Sequence, residues 1–301
     1  MKIVVIGAGA VGGYLAGKLA EAGQDVSVVA RGDTLKALQT TGVTLIDVPA
    51  PARSIPVTAH ASLAAAGPAD VVVVATKALD ATDAFAALRD VPSGAVVLPI
   101  HNAVDAPHVA AAVVGEHRVW PGVIRGFLHH TAPGEVEFHG GPLSLTFGTW
   151  TGEHNATAEA FARVLTAAGI SAQVHPDIWQ DTWGKAMFVS SMSLLGALTG
   201  KPLGEMLADP LLASELRALV AEVAATARGA GVALPEDAVE RTMAFAAAMP
   251  PESTSSLQRD LLGGQPAELD AQIGAISARA QRHGVPTPKF ALGYAVLKAG
   301  R

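Results

Sequence analysis

The chain has no cysteine. That absence removes disulfides, thiolate nucleophiles and cysteine-bound metals together, and it agrees with a reducing compartment, so a cytoplasmic protein is expected. Cations are not in excess either: 21 Lys and Arg against 27 Asp and Glu leave a formal net charge of -6. A sequence-independent nucleic-acid binder needs a basic face to displace counterions from phosphates, so no nucleic-acid partner is expected. No stretch reaches the ~18 uninterrupted apolar residues of a membrane span. Low-complexity tracts are also missing. With 50% hydrophobic and 16% charged residues, the composition is that of a folded globular protein. The beginning superficially resembles a secretory signal, Lys2 followed by apolar and small residues, but glycines at 7, 9, 12, 13 and 17 and the charge of Lys18 break the apolar block. No metal is expected: His129, His130 and His139 surround a Gly-rich segment without ligand spacing or an accompanying carboxylate cluster.

What is present is length and a change of pattern. At 301 residues the chain exceeds what one hydrophobic core usually supports, which predicts two domains. Short β-branched runs at 2–6 (KIVVI), 25–30 (DVSVVA), 70–75 (DVVVVA) and 95–100 (AVVLPI) alternate with Ala-rich helical stretches such as 11–22. Strands that recur with helices between them predict right-handed βαβ units and a parallel sheet. Between 134 and 148 the alternating segments EVEFHG and LSLTFG point to an antiparallel ribbon closing the sheet edge. Beyond 171–176 the β-branched runs stop, and 178–198, 211–230, 235–249 and 267–283 read as helices separated by Pro and Gly. The expected fold is α/β: a Rossmann-type parallel-sheet domain over 1–174 followed by an all-helical domain over 175–301. No internal repeat is found.

The first strand runs directly into Gly7-Ala8-Gly9-Ala10-Val11-Gly12 and then a helix. In that context the first glycine permits a tight turn, the second lets backbone approach a pyrophosphate, and the third lets helix and strand pack closely. The N–H groups at the helix start then face the phosphates. At the end of the second strand, where an NAD site usually has an acidic residue for the ribose 2′-hydroxyl, this chain has Arg31. A guanidinium suits a 2′-phosphate, so NADP is favoured over NAD, with Asp33 keeping NAD open and a solvated loop arginine as the plainer reading. Lys77, after DVVVVAT, and Asn102, after AVVLPIH, sit at the carboxyl edge where open α/β sheets bind ligands. Surface charge and a turn residue are their ordinary alternatives.

In the helical half, Lys185 is the one cation between Asp181 and Gly200 on a helix that is nearly apolar around its circumference. A helix without a polar face is a buried one, and a desolvated lysine is a better proton donor near neutrality. A lysine snorkelling to solvent fits the spacing equally well. Glu268, two residues after Pro266, reads as dipole compensation in the first turn of a helix, and Ser255 and Ser256 read as helix caps.

Taken in order, KIVVIGAGAVGGYLAG, Arg31, VVVVATKA with Lys77, HNAVD with Asn102, WGKAMF with Lys185, GALTGKPLGE, SSLQRDLLGGQPAELDAQIG with Ser256 and Glu268, and GVPTP resemble the ketopantoate reductase family nearly end to end. The resemblance implies NADPH-dependent reduction of ketopantoate to pantoate, a step toward pantothenate and coenzyme A. Hydride would pass to C2 of the small 2-keto acid substrate while Lys185 donates a proton to the developing alkoxide. Glu268 would hydrogen-bond the product hydroxyl, Ser256 the substrate carboxylate, and Asn102 both cofactor and substrate. Asparagines are common in the family four and eight residues after the lysine, whereas this chain has Val189 and Ser193 at those substrate-facing positions. That departure opens a second reading, a less polar 2-keto acid as substrate. A non-catalytic NADP-binding sensor is a third, and a homodimer is left open.

Overall fold

The computed structural model describes residues 1–77, 81–141 and 143–300, and the chain divides into two compact units. The first comprises Met1–His101 and Ala106–Ile178, the second Asn102–Asp105 and Trp179–Arg301. No helix among the described residues is long and apolar enough to cross a membrane.

The first unit opens with β1 (Lys2–Ile6), α1 (Ala10–Glu21), β2 (Asp25–Val29) and α2 (Gly32–Thr40). It continues through β3 (Val43–Asp47), β4 (Arg53–Ile55), β5 (Thr58–His60), α3 (Leu63–Ala66), β6 (Val71–Val74), α4 (Ala81–Ala86) and β7 (Val96–Pro99). Strands β5, β2, β1, β6 and β7 form, in that order, a sheet that is parallel throughout. All four valines of β6 and the last four residues of β1 are buried. A strand covered on both faces must be apolar at every position, which is why these runs do not alternate.

After α5 (Ala106–Val114) come β8 (Gly122–Arg125), β9 (Leu128–Ala132), β10 (Glu135–Phe138), β11 (Ser144–Phe147), α6 (Ala156–Ala167) and β12 (Ser171–Val174). Here the structure departs from the expected ribbon. Strands β10 and β11 belong to different sheets: β10 lies between β3 (parallel) and β9 (antiparallel), and β11 between β12 (parallel) and β8 (antiparallel). Packing separates them. Val136 of β10 is fully buried and reaches α1, where a Cβ on Gly13 would lie 3.0 Å from its Cγ2. Leu145 and Phe147 of β11 are fully buried too, with Phe147 stacked on Trp120 and edge-on to Phe161 of α6. Asn155 starts α6 by accepting from the N–H groups of Thr157 and Ala158, both at 3.0 Å.

The second unit is helical, as expected: α7 (Ile178–Thr199), α8 (Leu203–Ala208), α9 (Pro210–Gly229), α10 (Ala238–Ala248) and α11 (Ser256–Leu262), then a π-helical segment Asp270–Gly274 running into α12 (Ala275–Arg282), and finally α13 (Pro288–Ala299). No residue of α7 from 178 to 197 is exposed, which makes it the central helix. Trp183, Met187, Met192 and Leu194 on α7 share a core with Leu216, Val220 and Val223 of α9 and with Phe290 of α13. Asp209 caps α9 by accepting from Leu211 N at 2.9 Å, and Pro210 occupies the first turn, where its missing N–H costs nothing.

Trp120 is 1% exposed, its ring lies 5.7 Å from that of Phe147, and its backbone N–H donates to Val97 O of β7 at 2.9 Å. Trp120→Ala is expected to cost roughly 3–5 kcal/mol of stability through the cavity it leaves, measured as a fall in the urea unfolding midpoint. A change under ~1 kcal/mol would mean the first core can collapse around the loss.

Candidate active site

The Gly-rich turn sits where its sequence predicts, between β1 and α1. Gly7 adopts φ +95°, and a Cβ there would lie 2.8 Å from Thr76 N. Gly12 is tighter: a Cβ would lie 1.9 Å from Gly7 O, so no side chain fits where helix meets strand. Gly9 is different, because a Cβ would meet nothing within 4 Å, and α1 starts there without a side-chain cap. A helix start with open space above it and no internal acceptor for its first N–H groups suits an anionic ligand.

Sheet order explains which charges flank this turn. Because β2 and β6 lie on either side of β1 and all three run parallel, Arg31 and Lys77 follow the strand ends to the left and right of Gly7, and both residues are exposed. Arg31 also occupies the position preceding α2, and Asp33 lies in that helix's first turn with its carboxylate 3.0 Å from Lys36 Nζ. Asp33 therefore already has a cationic partner. His101 follows β7 at the same edge. Its Nε2 lies 3.3 Å from Thr76 Oγ1, its ring packs against Phe85, and its Nδ1 is sealed from solvent without a hydrogen-bond partner. Burial disfavours the imidazolium and pushes the His101 pKa down to about 4.

In the helical unit, Lys185 is half-buried and its Nζ donates to Asn102 Oδ1 at 2.6 Å. Residues 102–105 belong to this unit although they follow β7 in the chain, so Asn102 is contributed to the lysine rather than to the sheet. Val189, half-buried, lies one turn further along α7. Ser193 is fully buried and its hydroxyl donates to Val189 O at 2.6 Å, so it is spent on the helix backbone. Ser255, rather than Ser256, caps α11, accepting from Gln258 N at 3.0 Å; Ser256 is the first helical residue and is exposed. Glu268 lies just before the helical run that starts at Leu269, not within its first turn, and its Oε2 accepts from Gln272 Nε2 at 2.8 Å.

Three residues with a place in this arrangement escaped the sequence reading. Thr76 abuts Gly7 and His101. Gln272, 2% exposed, supports Glu268, and its spacing of four residues is a helical signal that was available. Asp105 accepts from Arg279 Nε at 2.8 Å across 174 residues of sequence, which no local pattern encodes. Among the described residues no group of three or more His, Asp or Glu is placed to hold a metal.

Two family models match the chain: "Ketopantoate reductase PanE/ApbA" over residues 3–152 and "Ketopantoate reductase PanE/ApbA C terminal" over 177–301. A 2-dehydropantoate 2-reductase of Mesorhizobium japonicum is 33% identical over 96% of this chain and 94% of its own length. A solved PanE/ApbA family ketopantoate reductase from Ralstonia eutropha superposes with a TM-score of 0.89 at 27% identity, covering 99% of this chain and 98% of that one. A D-mandelate dehydrogenase, solved with NADH and anilino(oxo)acetate, shares the fold with a TM-score of 0.88 at 20% identity, covering 99% and 98%.

The buried imidazole carries a pH dependence. His101 in the folded chain binds a proton only near pH 4, whereas in the unfolded chain it does so near 6.5. Stability is therefore expected to fall as pH drops from about 6.5 toward 4, by at most about 3 kcal/mol from this group. His101→Gln should remove that component, seen as a flatter plot of unfolding free energy against pH. Parallel plots for the two proteins would show that His101 titrates normally.

Proposed function

The chain belongs to the ketopantoate reductase family, and we propose that it reduces ketopantoate to pantoate with NADPH, on the way to pantothenate and coenzyme A. The observation that carries this reading is the 2.6 Å hydrogen bond from Lys185 Nζ to Asn102 Oδ1, which aims a half-buried ammonium. In this proposal residues 1–174 bind the dinucleotide and residues 175–301 the substrate, and the protein works in the cytoplasm.

The residues at the carboxyl edge of the parallel sheet fit a nicotinamide dinucleotide. The open space over Gly9 and the uncapped start of α1 would receive the pyrophosphate through backbone N–H groups of the Gly7, Ala8, Gly9, Ala10, Val11, Gly12 turn. Arg31 would take the 2′-phosphate, since a guanidinium offers donors where a free ribose needs an acceptor. Its neighbour Asp33 is paired with Lys36, which favours the phosphate over the diol. Lys77 would add a second cation beside the turn. When bound, the reduced nicotinamide supplies a hydride.

The protein's own groups manage the proton and the substrate. Lys185 Nζ donates a proton to the carbonyl oxygen as charge builds on it, and the remaining ammonium hydrogens stay directed by Asn102. Asn102 would also hydrogen-bond the cofactor when it is bound. Glu268, held by Gln272, accepts from the product hydroxyl, and Ser256 holds the substrate carboxylate.

A second reading, a less polar 2-keto acid, is favoured by one stretch of α7. Val189 brings no polar atom, and the hydroxyl of Ser193 is already bonded to Val189 O. A pocket short of donors at these two positions discriminates less in favour of a hydroxylated substrate. The fold also serves a D-mandelate dehydrogenase.

Loss of reduced-nicotinamide absorbance with ketopantoate is the direct assay, and kcat/KM across a panel of 2-keto acids ranks the two readings. Lys185→Ala is expected to lower kcat by at least ~100-fold, as for a lost general acid; near-normal turnover would remove the lysine from the chemistry. Arg31→Ala should raise KM for NADPH roughly 10- to 100-fold, the size of a lost charge-assisted hydrogen bond, while changing KM for NADH about twofold or less. Equal losses would contradict the 2′-phosphate role.

A further inference from the structure

Residues 102–105 contain no helix or strand, yet they are held in the helical unit by side chains at both ends and in the middle. Asn102 accepts from Lys185, and Val104, 4% exposed, enters the core that also contains Trp183 and Met187. Asp105 accepts at Oδ1 from both Nε and a terminal nitrogen of Arg279, and at Oδ2 from Arg282 at 3.3 Å. The Arg279 side chain is only 11% exposed and that of Asp105 26%, so this is not a solvent-loosened surface pair. Arg282, at 60%, is the outer partner.

We propose that Arg279 is a positioning residue: by gripping Asp105 it fixes the short segment whose first side chain, Asn102, directs Lys185. The proposal rests on the assignment of Lys185 as the proton donor. Three features support it. First, two nitrogens of the Arg279 guanidinium converge on Oδ1 while Arg282 takes Oδ2, and a planar guanidinium restrains direction as well as distance. Second, its foundation is rigid, because Ile276 and Ala280 on either side of Arg279 in α12 are buried. Third, Glu268 immediately precedes the helical run that ends in α12, so one continuous stretch of chain bears the carboxylate assigned to the product hydroxyl and the guanidinium that holds Asp105. Reacting groups displaced by about 1 Å lose on the order of 100-fold in rate, so a support of this kind is felt in turnover.

The decisive experiment combines kinetics with the chemical reactivity of the lysine in the full-length protein. Arg279→Met is expected to lower kcat with ketopantoate, or with the best keto acid of the panel, by ~10- to 100-fold, with any rise in KM for NADPH no larger than that of Asn102→Ala. Asp105→Asn, which keeps the shape of the carboxylate, should lower kcat in the same sense and provides the measurement if Arg279→Met fails to fold. Adding Asn102→Ala to either variant should cost no more than about twofold beyond the worse single change, because both act through one contact. Independently of turnover, acylation of Lys185 by acetic anhydride, followed by mass spectrometry, should speed up alike in Asn102→Ala and Arg279→Met. Losing the acceptor weakens the hold on the protonated amine. Multiplicative losses in kcat, or an unchanged acylation rate in both Arg279→Met and Asp105→Asn, would overturn the proposal. If Lys185→Ala itself retained activity, the proton-donor assignment would fail, whereas the acylation rates would still decide whether Arg279 and Asp105 set the lysine's contact.

Discussion

One hydrogen bond, from Lys185 on the central helix α7 to Asn102 on an irregular segment, ties two distant stretches of chain into the second unit. No residue of α7 is exposed between 178 and 197, and Lys185 Nζ reaches past the helix to a partner outside it. The acceptor arrives from elsewhere in the chain, as the carbonyl oxygen of Asn102. The same segment, residues 102–105, is held in the helical unit by an apolar side chain in the core and a carboxylate on an arginine. Together these contacts order a segment that has no regular structure of its own.

The first unit obeys a different rule, that of the parallel sheet. Its strands all finish at one edge, so residues far apart in sequence become neighbours in a fixed order: Arg31 after β2, Gly7 after β1, Lys77 after β6 and His101 after β7. The charged residues flank the turn, and the imidazole behind Thr76 is held neutral by burial. Cationic groups thus line the exposed side of the edge while the packed side stays uncharged, an arrangement suited to binding an anion without importing charge into the core.

How much of this could be read from the sequence depended on range. Runs such as KIVVI and VVVV announce themselves because both faces of each strand are buried, and α9 is bounded by Asp209, Pro210 and the positive φ of Gly231. Alternation in EVEF and SLTF correctly signalled half-buried strands but said nothing about partners; Val136 pairs with a gap on α1 made by Gly13, and that choice sends β10 to a separate sheet. Around Glu268 the expected first helical turn is instead a lead-in to a π-helical segment, a hydrogen-bond pattern that composition does not distinguish. Ser193 carries no mark in sequence that its hydroxyl turns back to the helix, and Asp105 none that Arg279 will reach it. The local rules of strand, turn and cap were legible, whereas contacts bridging more than a hundred residues were not.

The glycines of α1 have one more implication. Gly12 presses on the carbonyl of Gly7, Gly13 receives Val136 from β10, and Gly17 receives Leu45 from β3. The helix is thereby bedded on neighbours along its length, with no room for a methyl group at Gly12. Change at this end of the sheet is therefore confined to its rim: the axle of α1 has to stay where it is, whereas an exposed strand-end position such as Arg31 can take a new side chain that meets solvent instead of packed backbone.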